Sequence, residues 1–96
     1  MLLSGLEDLI LDLLAAREDT YGLDLVAASR GRLKRGSVYV TLGRMEQKGF
    51  VSSRLEPKRP GDGPPRRLYK ITALGARARQ AMALMQAPAR SGASDG

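Results

Sequence analysis

Hydrophobic residues in the first half of the chain recur at the spacing of α-helices. Ser4 and Glu7 have the spacing of a capping box, which marks a helix start. Large aliphatic residues then follow at helical intervals: Leu6, Leu9, Ile10, Leu13 and Leu14. This pattern predicts a first helix that stops at residues 18–19.

Two further helices are predicted before residue 50. Thr20 is placed to cap a second helix that ends near Ser29. A basic linker, residues 30–36 (RGRLKRG), leads to a third helix at residues 37–48. Gly49 then stands in the position favoured for a left-handed C-cap. The second and third helices are therefore joined by a short turn.

From Phe50 the period changes to two, which predicts a strand that places residues 51, 53 and 55 on one side. The segment PKRPGDGPP (residues 57–65) is too rich in proline for a ladder and marks a loop. Residues 66–71 return as the second strand of a hairpin, and Thr72 caps a last helix at about residues 72–87. Residues 88–96 are expected to form a disordered tail.

This order of elements predicts an α+β, mostly helical fold. It is that of a winged helix-turn-helix with a two-stranded wing and a C-terminal helix. A chain of 96 residues is long enough for one hydrophobic core, so residues 1–87 are expected to form a single domain.

Charge is distributed very unevenly. Residues 1–29 carry six carboxylates and one arginine, whereas residues 30–70 carry twelve lysines and arginines and three carboxylates. Such asymmetry is typical of a protein with one face that binds a polyanion. A merely solvated basic surface is the alternative.

The composition argues against most site chemistry. The chain has neither cysteine nor histidine, so disulfides, thiolate nucleophiles and the usual zinc and haem ligands are absent. We therefore expect no metal, no cofactor and no enzymatic activity. Because no apolar run is long enough for a membrane span and the first residues lack a basic signal pattern, we expect a soluble, cytoplasmic protein.

The third predicted helix has the pattern of a recognition helix. Val38, Leu42 and Met45 share one side and are expected to face the core, which turns residues 39, 40, 43, 44 and 47 outward. In a DNA major groove, Arg44 would donate to guanine, Gln47 would bond adenine, and Val40 would contact thymine.

The remaining candidates of this helix carry alternatives. Ser37 and Thr41 would either hold a phosphate near the helix start or only cap the helix, and Lys48 joins the same DNA-binding set. Tyr39 would either reach DNA or pack against the hairpin. Tyr21 and Tyr69 are expected to be buried with satisfied hydroxyls, although Tyr69 could also reach a phosphate.

Basic residues flank this helix on both sides. Arg32, Lys34 and Arg35 precede it and are placed for phosphates. The wing adds cations that we expect to lie along the DNA backbone or in the minor groove: Lys58, Arg59, Arg66 and Arg67. A solvated charge cluster at a hairpin tip is the alternative for these.

Four ordered segments resemble the conserved segments of the PadR family of bacterial transcriptional regulators. They are SGLEDLILDLLA (residues 4–15), YGLDL (21–25), GSVYVTLGRMEQKGFV (36–51) and RRLYKITALG (66–75). The resemblance implies a dimeric winged-helix repressor with paired C-terminal helices, and often a small-molecule effector, which this sequence does not identify. The chain ends soon after one such helix, as in the short subfamily, and it departs from the family pattern at Gly43 inside the third helix.

Dimerisation is also expected on physical grounds, since one winged helix reads only a few base pairs. The candidate surfaces are the amphipathic first helix and a stripe on the last helix: Leu74, Ala78, Ala81, Met82 and Met85. The predicted partners are thus double-stranded DNA, on an inverted-repeat operator, and a second copy of the chain. Two alternatives stay open, a winged helix that binds proteins without specific DNA binding and a basic RNA-binding module.

Overall fold

The computed structural model describes residues 3–57, 60–61 and 63–86, with the side chain of Gln86 left out. Within this part of the chain the helices are α1 (Gly5–Ala15), α2 (Gly22–Ala28), α3 (Arg35–Gln47) and α4 (Ala73–Gln86). The strands are β1 (Thr20–Tyr21), β2 (Val51–Leu55) and β3 (Arg67–Ile71), in the antiparallel order β1-β3-β2. The architecture is α+β, as the sequence predicts.

The start of α1 is the predicted capping box. The Glu7 backbone N–H donates to the Ser4 hydroxyl at 3.2 Å, and the Ser4 N–H donates to the Glu7 carboxylate at 3.0 Å. The apolar side of the helix places Ile10, Leu11 and Leu14 in the core, where each is fully buried. The predicted spacing therefore holds for Ile10 and Leu14 but did not select Leu11, and the helix ends before the predicted stop at residues 18–19.

The predicted threonine cap of α2 is wrong. Thr20 lies in β1 and pairs with Tyr69 of β3, and its hydroxyl donates to the carbonyl of Glu18 at 2.6 Å. The N-cap of α2 is Tyr21, whose side chain makes no capping hydrogen bond. A strand of two residues is too short to show a period, so the sequence predicts two strands where the structure has three.

The turn between α2 and α3 is shorter than predicted, because α3 begins at Arg35 rather than Ser37. Ser29 organises this turn: its hydroxyl donates to the carbonyl of Val26 at 2.8 Å and accepts from the N–H of Leu33 at 2.9 Å. Leu33 is buried in the core. The basic linker is thus fixed to the domain at its middle, which sets the direction in which α3 leaves the turn.

One threonine, Thr72, joins the start of α4 to the turn that follows α3. Gly49 has a φ of 84°, so it makes the predicted left-handed turn after α3. The Thr72 hydroxyl donates to the Gly49 carbonyl at 2.6 Å and accepts from the Gly75 N–H at 3.0 Å. Thr72 therefore caps α4, as predicted, and also connects this helix to the end of α3.

The core contains side chains from every helix. Val38, Leu42 and Met45 of α3 are fully buried, and Ala78 and Met82 of α4 pack against the same cluster. Two of the five residues predicted for dimerisation are thus part of the subunit's own core. The predicted tail at residues 88–96 and residue 87 lie outside the described residues.

Candidate nucleic-acid interface

Helix α3 has one buried and one exposed side, divided as the sequence predicts. Opposite the buried residues, Tyr39 and Val40 are 49% and 57% exposed. Gly43, Arg44 and Gln47 are exposed on the same side. A helix of 13 residues with a polar, uncovered side of this kind has the dimensions that a DNA major groove admits.

Thr41 is the exception among the predicted contact residues of α3. It is buried, with 7% of its surface exposed, and its hydroxyl donates to the Ser37 carbonyl one turn earlier at 2.9 Å. The phosphate-binding alternative for Thr41 is therefore not supported by its position. Ser37 is half-buried near the helix start.

Tyr39 is packed against α2 on one side and open on the other, so the choice between reaching DNA and packing on the hairpin stays a prediction. A β-carbon added to Gly22 would lie 2.7 Å from the Cε1 atom of Tyr39, so the ring rests directly on the first residue of α2. This close approach requires a residue without a side chain at position 22. It holds the aromatic ring beside the hairpin while leaving half of the residue accessible.

A cleft of about 290 Å³ separates α3 from the hairpin. Its lining includes all three tyrosines of the chain together with Arg66 and Arg67, both of them exposed. Tyr39 thus shares one cleft with the two wing arginines that the structure describes. The predicted wing residues Lys58 and Arg59 lie outside the described residues.

The wing arginines are held by different contacts. The Arg66 guanidinium carbon lies 4.2 Å from the centre of the Tyr21 ring, at cation–π distance, and its Nε is 3.8 Å from a carboxylate oxygen of Glu56. Arg67 donates from Nη1 to the hydroxyl of Ser53 at 3.0 Å. Both side chains are therefore ordered by neighbours on the sheet.

On the other side of α3, Arg44 shares a crevice with Arg32 and with the start of α1. Arg32, Lys34 and Arg35 are all exposed, as predicted for residues that meet phosphates. The exposed side of α3 consequently lies between two arginine-bearing surfaces, one formed by the linker and one by the hairpin.

Lys48, predicted to bind DNA, instead has an internal partner. Its ammonium lies 2.8 Å from the Glu7 carboxylate, and the Glu7 side chain is only 6% exposed. Burial raises the pKa of Glu7, but the hydrogen bonds from Lys48 and the Ser4 N–H and the positive charges of Lys48 and Arg44 outweigh it and lower that pKa below 4.5. Lys48 therefore compensates a buried carboxylate that joins α1 to the end of α3.

Two more cations pair with carboxylates of the acidic first segment. Arg54 lies 2.6 Å from Asp19, and Arg79 lies 2.7 Å from Asp12. Neither pair is predictable from the sequence, since no local pattern connects residues so far apart in the chain. Pairing with cations accounts for part of the unbalanced negative charge of residues 1–29.

Tyr21 and Tyr69 were both expected to be buried with hydrogen-bonded hydroxyls, and the structure treats them differently. Tyr21 is half-buried and its hydroxyl donates to Glu56, a hydrogen bond that raises the pKa of Tyr21. Tyr69 is 5% exposed, and burial raises the pKa of its hydroxyl. Among the described residues that hydroxyl has no hydrogen-bond partner, so the expected satisfied hydroxyl is found only for Tyr21.

The residues predicted for dimerisation fall into two groups. Leu74 and Met85 are 42% and 62% exposed, and the neighbouring Leu84 is 76% exposed, whereas Ala78 and Met82 are buried within the subunit. Ala81 is half-buried. The uncovered apolar residues are therefore concentrated at the two ends of α4, with Leu84 a residue that sequence periodicity did not single out.

The part of the chain that the structure describes contains no helix long and apolar enough to span a bilayer. The same residues contain no group of three or more acidic side chains arranged to hold a metal ion.

The fold and the placement of an uncovered α3 beside a basic hairpin define the winged helix-turn-helix class. The family model described as "Transcriptional regulator PadR-like family" matches residues 10–81, so the chain belongs to this family. The predicted resemblance is thereby confirmed.

Solved structures support the assignment. A PadR family transcription regulator from Clostridium difficile is 27% identical, with 85% of this chain and 86% of that chain covered and a TM-score of 0.73. A PadR family regulator from Eggerthella lenta is 29% identical, with 90% and 76% covered and a TM-score of 0.70. Both neighbours are transcription regulators.

The Bacillus subtilis PadR, solved in complex with operator DNA, shares the fold with a TM-score of 0.76 at 20% identity. The alignment covers 88% of this chain and about half, 49%, of that one. A comparison with curated protein sequences finds no significant match.

Proposed function

We propose that this protein is a cytoplasmic, sequence-specific transcriptional regulator that binds an inverted-repeat operator as a homodimer and acts as a repressor. The observation that carries the proposal is the exposed side of α3. Tyr39, Val40, Arg44 and Gln47 are uncovered there, while Val38, Leu42 and Met45 fix the helix to the core. A rigid helix that presents donors and an apolar contact in this way is suited to direct readout of base edges.

The proposed interface has two parts with different tasks. Arg44 and Gln47 read bases, because their side chains can form two parallel hydrogen bonds to guanine and adenine respectively. The exposed cations of the linker and wing bind phosphates and set the position of the protein on the duplex: Arg32, Lys34, Arg35, Arg66 and Arg67. Lys58 and Arg59 belong to the second group by their place in the sequence. Lys48 and Thr41 are not included, since one is paired with Glu7 and the other is buried.

Homodimerisation is proposed through α4. Leu74, Leu84 and Met85 are large apolar residues that the subunit leaves exposed. Burial of such residues between two copies would place two α3 helices on one duplex in two-fold symmetry. Repression follows from the compact form of such a dimer, which would act by obstructing polymerase. A small-molecule effector of unassigned chemistry is part of the proposal by family resemblance.

Binding to nucleic acids of different kinds tests the proposal. Labelled duplex DNA, duplex RNA and single-stranded DNA are titrated with the protein at two salt concentrations. We expect the tightest binding for duplex DNA, with an affinity that falls steeply as salt rises. Equal binding to RNA would favour a basic RNA-binding module, and no binding to any of them would favour a winged helix that binds proteins. Footprinting on the DNA upstream of the gene then tests sequence specificity, for which a protected inverted repeat is expected.

A further inference from the structure

Three side chains from distant parts of the chain meet at the loop end of the hairpin, where the Glu56 N–H donates to the Arg66 carbonyl just beyond the last strand pair. The Tyr21 hydroxyl donates to Oε2 of Glu56, while the other carboxylate oxygen, Oε1, faces Nε of Arg66 at 3.8 Å. The Arg66 guanidinium lies over the Tyr21 ring, 4.2 Å from its centre. A carboxylate therefore stands within the proposed phosphate-binding surface, beside one of its arginines.

This arrangement keeps the guanidinium available. A guanidinium that lies on an aromatic ring can still donate in its own plane, and the Arg66 side chain is 65% exposed. Its separation of 3.8 Å from Glu56 is longer than a hydrogen bond, so the pair is electrostatic only. The nearest hydrogen-bonded partner of Glu56 is instead the Tyr21 hydroxyl.

Glu56 and Tyr21 have opposite effects on the binding of a polyanion to Arg66. The negative charge of Glu56 repels a phosphate that approaches Arg66, which lowers the affinity for any duplex. The Tyr21 hydroxyl limits that effect, because it holds the carboxylate away from direct contact with the guanidinium. Without this hydroxyl, attraction between the opposite charges would close the distance and occupy the donors of Arg66.

We propose that Glu56 is an internal counter-ion that sets the DNA affinity of Arg66, and that Tyr21 is a positioning residue that keeps Glu56 from occupying it. The inference rests on the proposed function, since it concerns a phosphate contact of the wing. It assigns opposite effects to two neighbouring residues. A purely structural role for both would instead predict losses in both cases.

The test is a double-mutant cycle with Glu56→Gln, Tyr21→Phe and the combined variant, titrated on a random-sequence duplex. Glu56→Gln is expected to bind about two- to fivefold more tightly, the range for an exposed ion pair. Its affinity is also expected to depend on salt more steeply, by up to about 0.9 in the log–log slope. Tyr21→Phe keeps the ring under Arg66 but should bind about two- to fivefold more weakly. In the Glu56→Gln background the same Tyr21→Phe change is expected to have no effect.

Glu18→Gln is the matched control, since it removes the same charge from an exposed residue that makes no ion pair within the described part of the chain. It is expected to leave the affinity unchanged, and thermal melting checks that every variant is folded. Failure of the wild-type protein to bind duplex DNA would overturn the proposed function. If the wild-type protein binds but Glu56→Gln binds no more tightly, only the counter-ion role is overturned. An equal loss from Tyr21→Phe in both backgrounds would overturn the positioning role.

Discussion

The carbonyl oxygen of Phe50 occupies the space that a side chain at Gly75 would need. A β-carbon added to Gly75 would lie 2.0 Å from that oxygen, and the neighbouring atom is backbone, which cannot turn aside. The same carbonyl accepts the N–H of Thr72 at 3.1 Å. The start of α4 and the start of β2 are therefore in direct backbone contact.

Gly75→Ala should accordingly destabilise the fold, by about 1–3 kcal/mol or more, because the helix must move away from the hairpin. Urea unfolding followed by circular dichroism measures the change. Gly5→Ala is the matched control, since an added β-carbon at Gly5 meets nothing within 4 Å. Equal stabilities for the two variants would contradict the close contact.

Gly43→Ala should have the opposite effect on stability. Gly43 lies inside α3, and an added β-carbon would project into open space. Since glycine is about 1 kcal/mol less favourable than alanine within a helix, the free energy of unfolding should rise by about that amount. Thermal melting should show a higher Tm, and a lower Tm would mean that Gly43 has a packing role.

Glu7→Gln tests the buried ion pair. Glutamine can still accept the Ser4 N–H, but the charge that pairs with Lys48 is lost, and we expect a loss of about 1.5–3 kcal/mol at neutral pH. The folded pKa of Glu7 is lower than its unfolded value, so this stabilisation is complete above pH 4.5 and is lost as the pH falls through the folded pKa.

The difference in unfolding free energy between wild type and Glu7→Gln should therefore shrink as the pH is lowered below 4.5. Asp8→Asn, on the same helix but without an ion pair among the described residues, is the control at neutral pH and should cost less stability than Glu7→Gln. A difference that stays constant with pH would show that the pair does not stabilise the fold.

Arg44→Ala and Arg66→Ala should separate base reading from phosphate binding. Loss of Arg44 should weaken binding to the operator by about 1–3 kcal/mol and relax discrimination at one base pair in each half-site. Loss of Arg66 should weaken binding to operator and random duplex alike and reduce the salt slope by about 1. Titration of both variants on both duplexes is the measurement. If each variant loses the same affinity on specific and random DNA, the division of tasks is wrong.

Leu84→Glu should weaken the proposed dimer and leave the subunit folded, because Leu84 is 76% exposed and carries little of the core. Light scattering across a concentration series should show more monomer than for the wild-type protein. Leu23→Glu, at a 42% exposed leucine on α2, is the control for an added surface charge. An unchanged association state for Leu84→Glu would exclude this end of α4 as the contact surface.

The elements of the fold were largely predictable because their signals are local. Helix α1 follows from its capping box and aliphatic spacing, and the hairpin follows from a change of period at Phe50. The buried side of α3 follows from the spacing of Val38, Leu42 and Met45. Strand β1 was missed since two residues cannot display a period, and Thr20, a good capping residue, was used in a strand instead.

The site was predicted in outline and corrected in detail. Its exposed residues at positions 39, 40, 44 and 47 follow from the helical wheel. The phosphate-binding alternative for Thr41 is not supported, because this threonine, on the border between the two sides of α3, is buried. Sequence periodicity alone has no information about that border.

By itself, the sequence determined the order of the elements, the side of α3 that faces the core and the separation of acidic from basic segments. Only the tertiary structure decided which cations remain available, because ion pairs such as Lys48 with Glu7 join residues 41 positions apart. The stacking of Arg66 on Tyr21 and the burial of Ala78 and Met82 in the subunit's own core were decided in the same way. Such contacts depend on how elements that are distant in the sequence pack against each other, and the local spacing of residue types carries no information about that packing.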